Sequence, residues 1–473
     1  MTRKTVNKKV YKERRIAFLI LLIFLIIFLF SLRFFDFNIF NRGTDTAKIY
    51  FFDEKSNELI FEKRTIPKYS STQEKIKRVL DELISGPKSE SLKQVLDPKT
   101  KILSVDINKD EAIVSFSKEI KNRVLEGVTG EAASLYSIVN TIIGNTSLRN
   151  VTILVEGKKN DLYWSSMPIS SSLTFFSSKL PYGKKVNLYF FDKNNEHPIV
   201  IEEEILEPKD SVEWAKLIFS KLKAGPNSSL NNKVSKTIPD EAILKDVKIE
   251  GDLIYLDFTS DILNYRGFGS SSEYAFMYST ILSITEIPGI GRVLFLIDGK
   301  SVETIGGNFD TSKPLTRWYY DLNPPPEGMY GYPIYYIYKD GDDLFLSPET
   351  VYNKTKDEAN VIFNDLLNPP SPLITLIPST SKLLSHKISG ETIKVDLDID
   401  LSGIDSITKE RLFLKQIVFT FTDALNLKEV DLTIKGKKTK LPFGTSIDKA
   451  LSRDSLWYLR ELLNLVVKRE VNI

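Results

Sequence analysis

The sequence predicts an α+β fold of tandem two-layer modules. Each module is expected to be a mixed sheet with two helices on one face, in the order ββαββαβ, and the array follows one N-terminal transmembrane helix. Three observations lead there. Residues 49–54 read IYFFDE and residues 188–193 read LYFFDK, so one strand-like word returns after 139 positions. Each word is followed by an apolar stripe of helical spacing that ends in Gly-Pro. Ahead of the first word lies an uncharged run of membrane-spanning length.

Length bounds the organisation, because 473 residues exceed what one core organises and, at roughly 150 residues per domain, suggest about three. The chain is 42% hydrophobic and 27% charged, the balance of an ordinary folded protein. It has no cysteine, which removes disulfides, thiolate zinc sites and cysteine nucleophiles. Its two histidines, His197 and His386, are far apart in sequence, which argues against triad chemistry and most transition-metal sites.

The N-terminal segment 1–15 carries seven bases, with Glu13 its one acid, and then comes IAFLILLIFLIIFLFSL from Ile16 to Leu32. A helix of this length spans about 25 Å, enough for a single crossing by an anchor at 16–33. A cleavable signal peptide would have a shorter apolar region and a small-residue cleavage site, whereas RFFDFNIFNR follows here. The basic side is expected in the cytoplasm, as a single-pass protein of the cytoplasmic membrane with the bulk of the chain extracytoplasmic. The first 33 residues hold eight bases and one acid, leaving 56 bases against 61 acids beyond them. The exported part is mildly acidic, so nucleic acid is not expected as a partner.

Three modules follow, at 48–179, 186–321 and 333–453. In the first, Ser71-Thr72-Gln73-Glu74 is a capping pattern ahead of Ile76, Val79, Leu80 and Leu83, and Gly86-Pro87 ends the helix. In the second, Asp210 and Glu213 lead into Ala215, Ile218, Phe219 and Leu222, then Gly225-Pro226; in the third, Ala359, Ile362, Phe363 and Leu366 precede Pro369-Pro370. A strand pair comes next, as KILSVDI with AIVSFS, ILKDVKI with LIYLDF, and KLLSHKI with TIKVDL. A second helix carries Leu135, Ile138, Val139 and Ile142, or Met277, Ile281 and Ile284, or Leu414, Ile417, Val418 and Phe421. VTILVEGKK, VLFLIDGKS and VDLTIKGKK close the three copies. Each module, holding its own apolar stripes, is expected to fold as a unit.

From LYFFDK through AGP, IPDEAILKDVKI, DLIYLDF, IPGIGRVLFLIDGK and IGGNFDTSKPL (305–315), the chain resembles the GerMN domain of sporulation and spore-germination proteins. The first copy is similar through Lys158, with WSSMPISSSL in place of the Gly-Gly tail. The third keeps the spacing but loses the Gly-Pro stop. The resemblance implies a membrane-tethered, exported, non-enzymatic module similar to ring-building domains of bacterial envelope complexes.

Several residues invite a chemical reading. The YFFD aromatics suit a groove but fit a core strand better. Gly306-Gly307 with Asp310 reads as a turn that needs positive φ. KDGDD (339–343) lacks the spacing of an EF-hand loop and reads as a hairpin turn. Glu202, Glu203 and Glu204 read as a solvated strand edge that discourages edge-to-edge pairing. No repeated polar residue stands out across the copies, so no catalytic, cofactor-binding or metal residues are assigned and no cofactor is expected. The segment 321–333, DLNPPPEGMYGYP, reads as a stiff spacer that holds copies two and three at a distance or at a defined angle. Residues 454–473, with Leu456, Leu459, Leu463 and Val467, form an expected amphipathic helix.

The expected function is a non-enzymatic interaction or assembly module of the bacterial cell envelope. Its expected partners are envelope proteins or further copies of itself, with the membrane reached through the N-terminal helix and no small-molecule substrate. The alternative is an envelope ligand-binding protein, for instance for cell-wall glycan.

Overall fold

The computed structural model describes residues 43–456, except 161, 165, 178, 227–229, 266–268, 318–325 and 356–357, together with Ile23. The expected anchor at 16–33, apart from Ile23, and the amphipathic helix beyond Leu456 lie outside the described residues. Among the described residues no helix is long and apolar enough to cross a membrane.

The chain divides into two compact units. The first consists of residues up to 126, 130–163 and 168–180; the second of 127–129, 164–167 and everything from 181. The first unit contains the first module. Its hairpin is β1 (Thr44–Asp53) and β2 (Glu58–Pro67), with Tyr50 opposite Phe61. Helix α1 (Thr72–Ile84) begins where the Ser71 side chain accepts from the Glu74 N–H at 3.1 Å, and the expected stripe of Ile76, Val79, Leu80 and Leu83 is fully buried. Strands β3 (Ile102–Asn108) and β4 (Glu111–Phe116) are antiparallel. Helix α2 (Gly127–Ile143) carries the chain to β5 (Asn150–Val155), parallel to β4, as a crossover between parallel strands requires.

The second unit holds the other two modules. Module two runs β6 (Gly183–Asp192), β7 (Pro198–Leu206), α3 (Ser211–Ala224), β8 (Val234–Ser235), β9 (Leu244–Glu250), β10 (Leu253–Phe258), α4 (Ser270–Ile284), β11 (Arg292–Ile297), β12 (Lys300–Ser301) and β13 (Leu315–Thr316). Module three runs β14 (Tyr330–Asp340), β15 (Asp343–Asn353), α5 (Ala359–Leu367), β16 (Lys382–Ser389), β17 (Thr392–Asp398), α6 (Ile407–Leu425), β18 (Glu429–Ile434) and β19 (Leu451–Ser452). Helix α3 is capped as α1 is, by Asp210 accepting from the Glu213 N–H, and it ends at Gly225 with φ +85°.

Two expectations are corrected. The seven elements of a module do not share one mixed sheet: the hairpin and the later strands form separate sheets. The reason is at the opening strand, whose outward backbone groups are taken by side chains of the second helix. The N–H of Tyr50 donates to Thr141, that of Tyr189 to Ser283 and that of Tyr335 to Thr420, at 2.9–3.0 Å. At those residues no edge is left for another strand, and only further along β6, at Phe191 and Asp192, does the short β8 pair with it. Second, modules two and three are not held apart. Their hairpins join into one five-stranded sheet, β14-β15-β7-β6-β8, over a single continuous core. Residues 321–325 of the spacer lie outside the described residues.

Candidate functional site

The residues that the structure brings together are those at the seam of modules two and three. Strand β7 meets β15 antiparallel, with Val200 opposite Leu346. In the same sheet, Tyr189 of β6 and Tyr335 of β14 bring their hydroxyls within 3.3 Å of each other. Both are fully buried. A buried phenol needs partners, and here they are ionic.

Each module supplies an acid and an arginine. Glu286 lies just past the end of α4 and Asp423 lies in the last turn of α6. Arg317 follows β13 and Arg453 follows β19. Arg317 lies over Tyr189, 5.0 Å from its ring centre, and Arg453 over Tyr335 at 5.8 Å. The charges then cross the seam. Arg453 donates to Asp423 at 2.5 Å, to Glu286 at 2.7 Å and to the Tyr189 hydroxyl at 3.0 Å. Arg317 pairs with Glu286 and stands 3.9 Å from Asp423, while the Tyr335 hydroxyl donates to Asp423 at 2.5 Å.

Burial alone would raise the Glu286 carboxyl. The guanidiniums of Arg453 and Arg317, with hydrogen bonds from Asn187 and Tyr189, outweigh it and hold the pKa down to about 2. Burial, and then the charge of Asp423, push the Tyr335 hydroxyl up to about 12. The cluster therefore sets a carboxyl held low beside phenols pushed up.

A second repeated feature lies at the start of the second helix, where Glu131, Glu273 and Glu410 hold equivalent places and all are buried. Glu273 accepts from the N–H of Gly306 at 2.6 Å, the N–H of Asn308 at 2.9 Å and the Asn308 amide at 2.7 Å. Glu410 accepts from the N–H of Phe443 at 2.5 Å and of Thr445 at 3.1 Å. Glu273 and Glu410 thus each tie the loop after the last long strand to the helix start. The sequence reading that no polar residue repeats is thus wrong. The signal was available as an acid ten residues before Thr141, Ser283 and Thr420.

The residues singled out from sequence fall as follows. The YFFD aromatics are core, with Phe51, Tyr189, Phe190 and Phe191 fully buried. Gly307, at φ +95°, shapes the loop around Glu273, and Asp310 accepts from the Ser312 N–H at 2.9 Å. KDGDD is the β14–β15 turn, with Gly341 at φ +61°. His197 pairs with Glu349 across the seam at 2.8 Å, whereas His386 sits in β16 opposite Val395. Among the described residues no group of three or more His, Asp or Glu is placed to hold a metal. The acids 202–204 are not a solvated edge, since β7 is an inner strand and Glu202 binds Arg411 at 3.2 Å and the buried Lys415 of α6. The positive charge of the facing helix turned an edge-guarding run into part of the seam.

These features define a tandem-module α+β protein in which two copies of one module are clamped by a sheet seam and a buried ionic cluster. A family model described as Germane, sporulation and spore germination, matches residues 48–161, 187–303 and 333–440, well over half of the chain. The chain belongs to this family of GerMN-domain proteins, with three tandem copies. Among solved structures it is similar to the tandem GerMN domains of the sporulation protein GerM from Bacillus subtilis, at 22% identity over 57% of this chain and 98% of that one, TM-score 0.46. It is also similar to a putative lipoprotein from Clostridium perfringens, at 30% identity over 28% of this chain and 88% of that one, TM-score 0.21. The first GerMN domain of GerM matches at 25% identity over 28% of this chain and 98% of that one, TM-score 0.23. No curated protein matches the chain significantly.

Proposed function

We propose that this GerMN-domain protein is a non-enzymatic assembly protein of the bacterial envelope, held at the cytoplasmic membrane by residues 16–33 with its modules outside. The observation that supports this reading is the seam, where two copies of the module recognise each other by strand pairing at Val200–Leu346 and by charges that cross between copies. A module that uses its hairpin edge to bind its own kind is suited to building arrays. An anchor would confine the copies to one plane and raise their effective concentration, so weak contacts suffice.

The test is cross-linking in intact cells followed by identification of the bound proteins, with protease added to cells stripped of outer layers to read topology. Envelope proteins or further copies of this chain in the cross-links, with a C-terminal tag cut and an N-terminal tag spared, are the expected results. A protected C-terminal tag would refute the topology and the assembly role with it.

A second reading, recognition of cell-wall glycan, has one observation in its favour. A cleft of about 820 Å³ beside the seam is lined by Trp214 with Lys184, Lys185 and Lys428 and with the acids Glu207, Glu429 and Asp454, a mixture of an aromatic side chain and charges of both signs. Binding of the purified chain to isolated sacculi that is lost in Trp214→Ala would favour it.

A further inference from the structure

Modules two and three show how this module binds a copy of itself, through the second strand of each hairpin. The contact residues translate to module one through the hairpin registers Tyr50–Phe61, Tyr189–Val200 and Tyr335–Pro348. Val200 stands where module one has Phe61. Leu346, opposite Ile337, stands where it has Leu59, opposite Phe52.

In module one this edge is open. Strand β2 pairs only with β1 among the described residues. Across an antiparallel ladder, opposite residues either exchange both bonds or turn both sets of groups outward. Tyr50 and Phe52 use their groups outward, the Tyr50 N–H on Thr141 and the Phe52 C=O on the N–H of Lys93. The N–H and C=O of Leu59 and Phe61 therefore point away from β1, and among the described residues no backbone group meets them. The side chains there are apolar and solvent-facing, with Ile60 41% and Phe61 39% exposed. A long apolar edge without a partner is what folded proteins avoid.

The internal seam also shows why module one suits the purpose better. In a two-fold pairing the contact Leu346–Val200 has a twin, Pro348 opposite Pro198. Neither proline has an N–H, so the twin cannot bond and the internal seam is one-sided. Module one has Leu59 and Phe61 at both places, each with its donor. Glu62, which this register sets opposite Glu58 of a second copy, is already held by Arg64 at 2.7 Å and the Ser89 N–H at 2.8 Å, which relieves the like-charge contact.

We propose that module one is a self-association site, in which β2 pairs antiparallel with β2 of a second copy of this chain, Leu59 opposite Phe61 and Ile60 opposite Ile60 at the two-fold axis. This deepens the assembly reading, and its failure would leave that reading open for other partners.

The chain lacks cysteine, so Ile60→Cys in the full-length protein places one thiol at the axis. A non-hydrogen-bonded pair has Cα atoms about 4.5 Å apart, within the range that a disulfide spans. Mild oxidation should convert most of this variant into a dimer that reductant reverses. Leu384→Cys, at a 50% exposed site in β16, should form no disulfide-linked dimer. Phe61→Pro should abolish the dimer in sedimentation with only a small loss of Tm from the missing ring contact with Tyr50, because β1 does not use the Phe61 N–H and module three has Pro348 there. Ile60→Asp, at an exposed site, gives an independent disruption. A full-length chain that stays monomeric, an Ile60→Cys cross-link no stronger than that of Leu384→Cys, or a dimer that survives Ile60→Asp would overturn the proposal. So would capture of a different protein by Cys at position 60 in intact cells.

Discussion

Arg453→Met tests the ionic seam, because it removes every donor at one corner while keeping much of the side-chain volume. In the parent protein Arg453 makes three contacts, to Asp423, Glu286 and Tyr189, at 2.5, 2.7 and 3.0 Å. Hydrogen bonds to charged groups contribute about 1.5–3 kcal/mol each, and removing one partner of a buried ion pair costs about 3–5 kcal/mol. The loss is limited here because Arg317 still faces Glu286, and Tyr335 still donates to Asp423. About 3 kcal/mol is expected at neutral pH, read from urea unfolding followed by circular dichroism.

The acid limb supplies a second reading of the same variant. A carboxyl held near 2 when folded and near 4.5 when unfolded gives stability that is complete above the unfolded value and fades as pH falls from there through 2. With Arg453 gone the folded pKa rises toward the unfolded one, so the part of the acid-induced loss due to Glu286 shrinks. The double variant Arg453→Met/Glu286→Gln should lose less than the sum of the single changes, by about 1 kcal/mol or more. A neutral-pH loss under about 1 kcal/mol, or strict additivity, would refute the claim that these charges depend on one another.

The remaining predictions are brief. Glu273→Ala leaves the N–H groups of Gly306 and Asn308 unmet and should cost about 2–4 kcal/mol, with hydrogen exchange rising first in 304–310. Leu80→Ala and Phe219→Ala should each cost about 2–5 kcal/mol, the first in the unit before residue 181 and the second in the unit after it. The fragment 186–321 alone should melt broadly, whereas 181–456 should melt as one transition, since the core and the ionic cluster span both modules. His197, whose pKa is raised by its hydrogen bond with Glu349, contributes stability that is present below the unfolded value of 6.5 and is lost as pH rises through the raised value. The cost of His197→Ala, under about 1 kcal/mol, should therefore vanish in alkaline solution.

The sequence revealed whatever repeats with a period. The helix faces of Ile76, Val79, Leu80 and Leu83 and of Leu135, Ile138, Val139 and Ile142 are buried as their spacing required, and the strands lie where alternation set them. What it concealed depends on residues brought together from far apart. Tyr189 reads as one more aromatic of a core strand, and nothing local says that its hydroxyl meets arginines 128 and 264 positions away. Glu202 reads as an edge guard until Lys415, 213 positions on, turns out to face it. The buried glutamates were legible in principle, since an acid at 131, 273 and 410 keeps one spacing to the hydroxyls of the same helix. They do not stand out because each lies near the start of its helix, where an exposed acid is ordinary.

The same alignment explains why module two, and not module one, is the mate of module three. Position by position, Tyr189, Glu286 and Arg317 correspond to Tyr335, Asp423 and Arg453, and in module one to Tyr50, Gly144 and Phe175. A Cβ on Gly144 would come within 3.0 Å of the Tyr50 ring, and Phe175 packs edge-on against that ring with centroids 5.7 Å apart. Module one has filled the place of the acid and the arginine with aromatic packing. Set against module three, it would leave Arg453 with Asp423 but without Glu286, at a cost of about 1.5–3 kcal/mol for each hydrogen bond to a charged group that is lost. The ionic set thus makes the pairing of two and three selective, at some expense in desolvation.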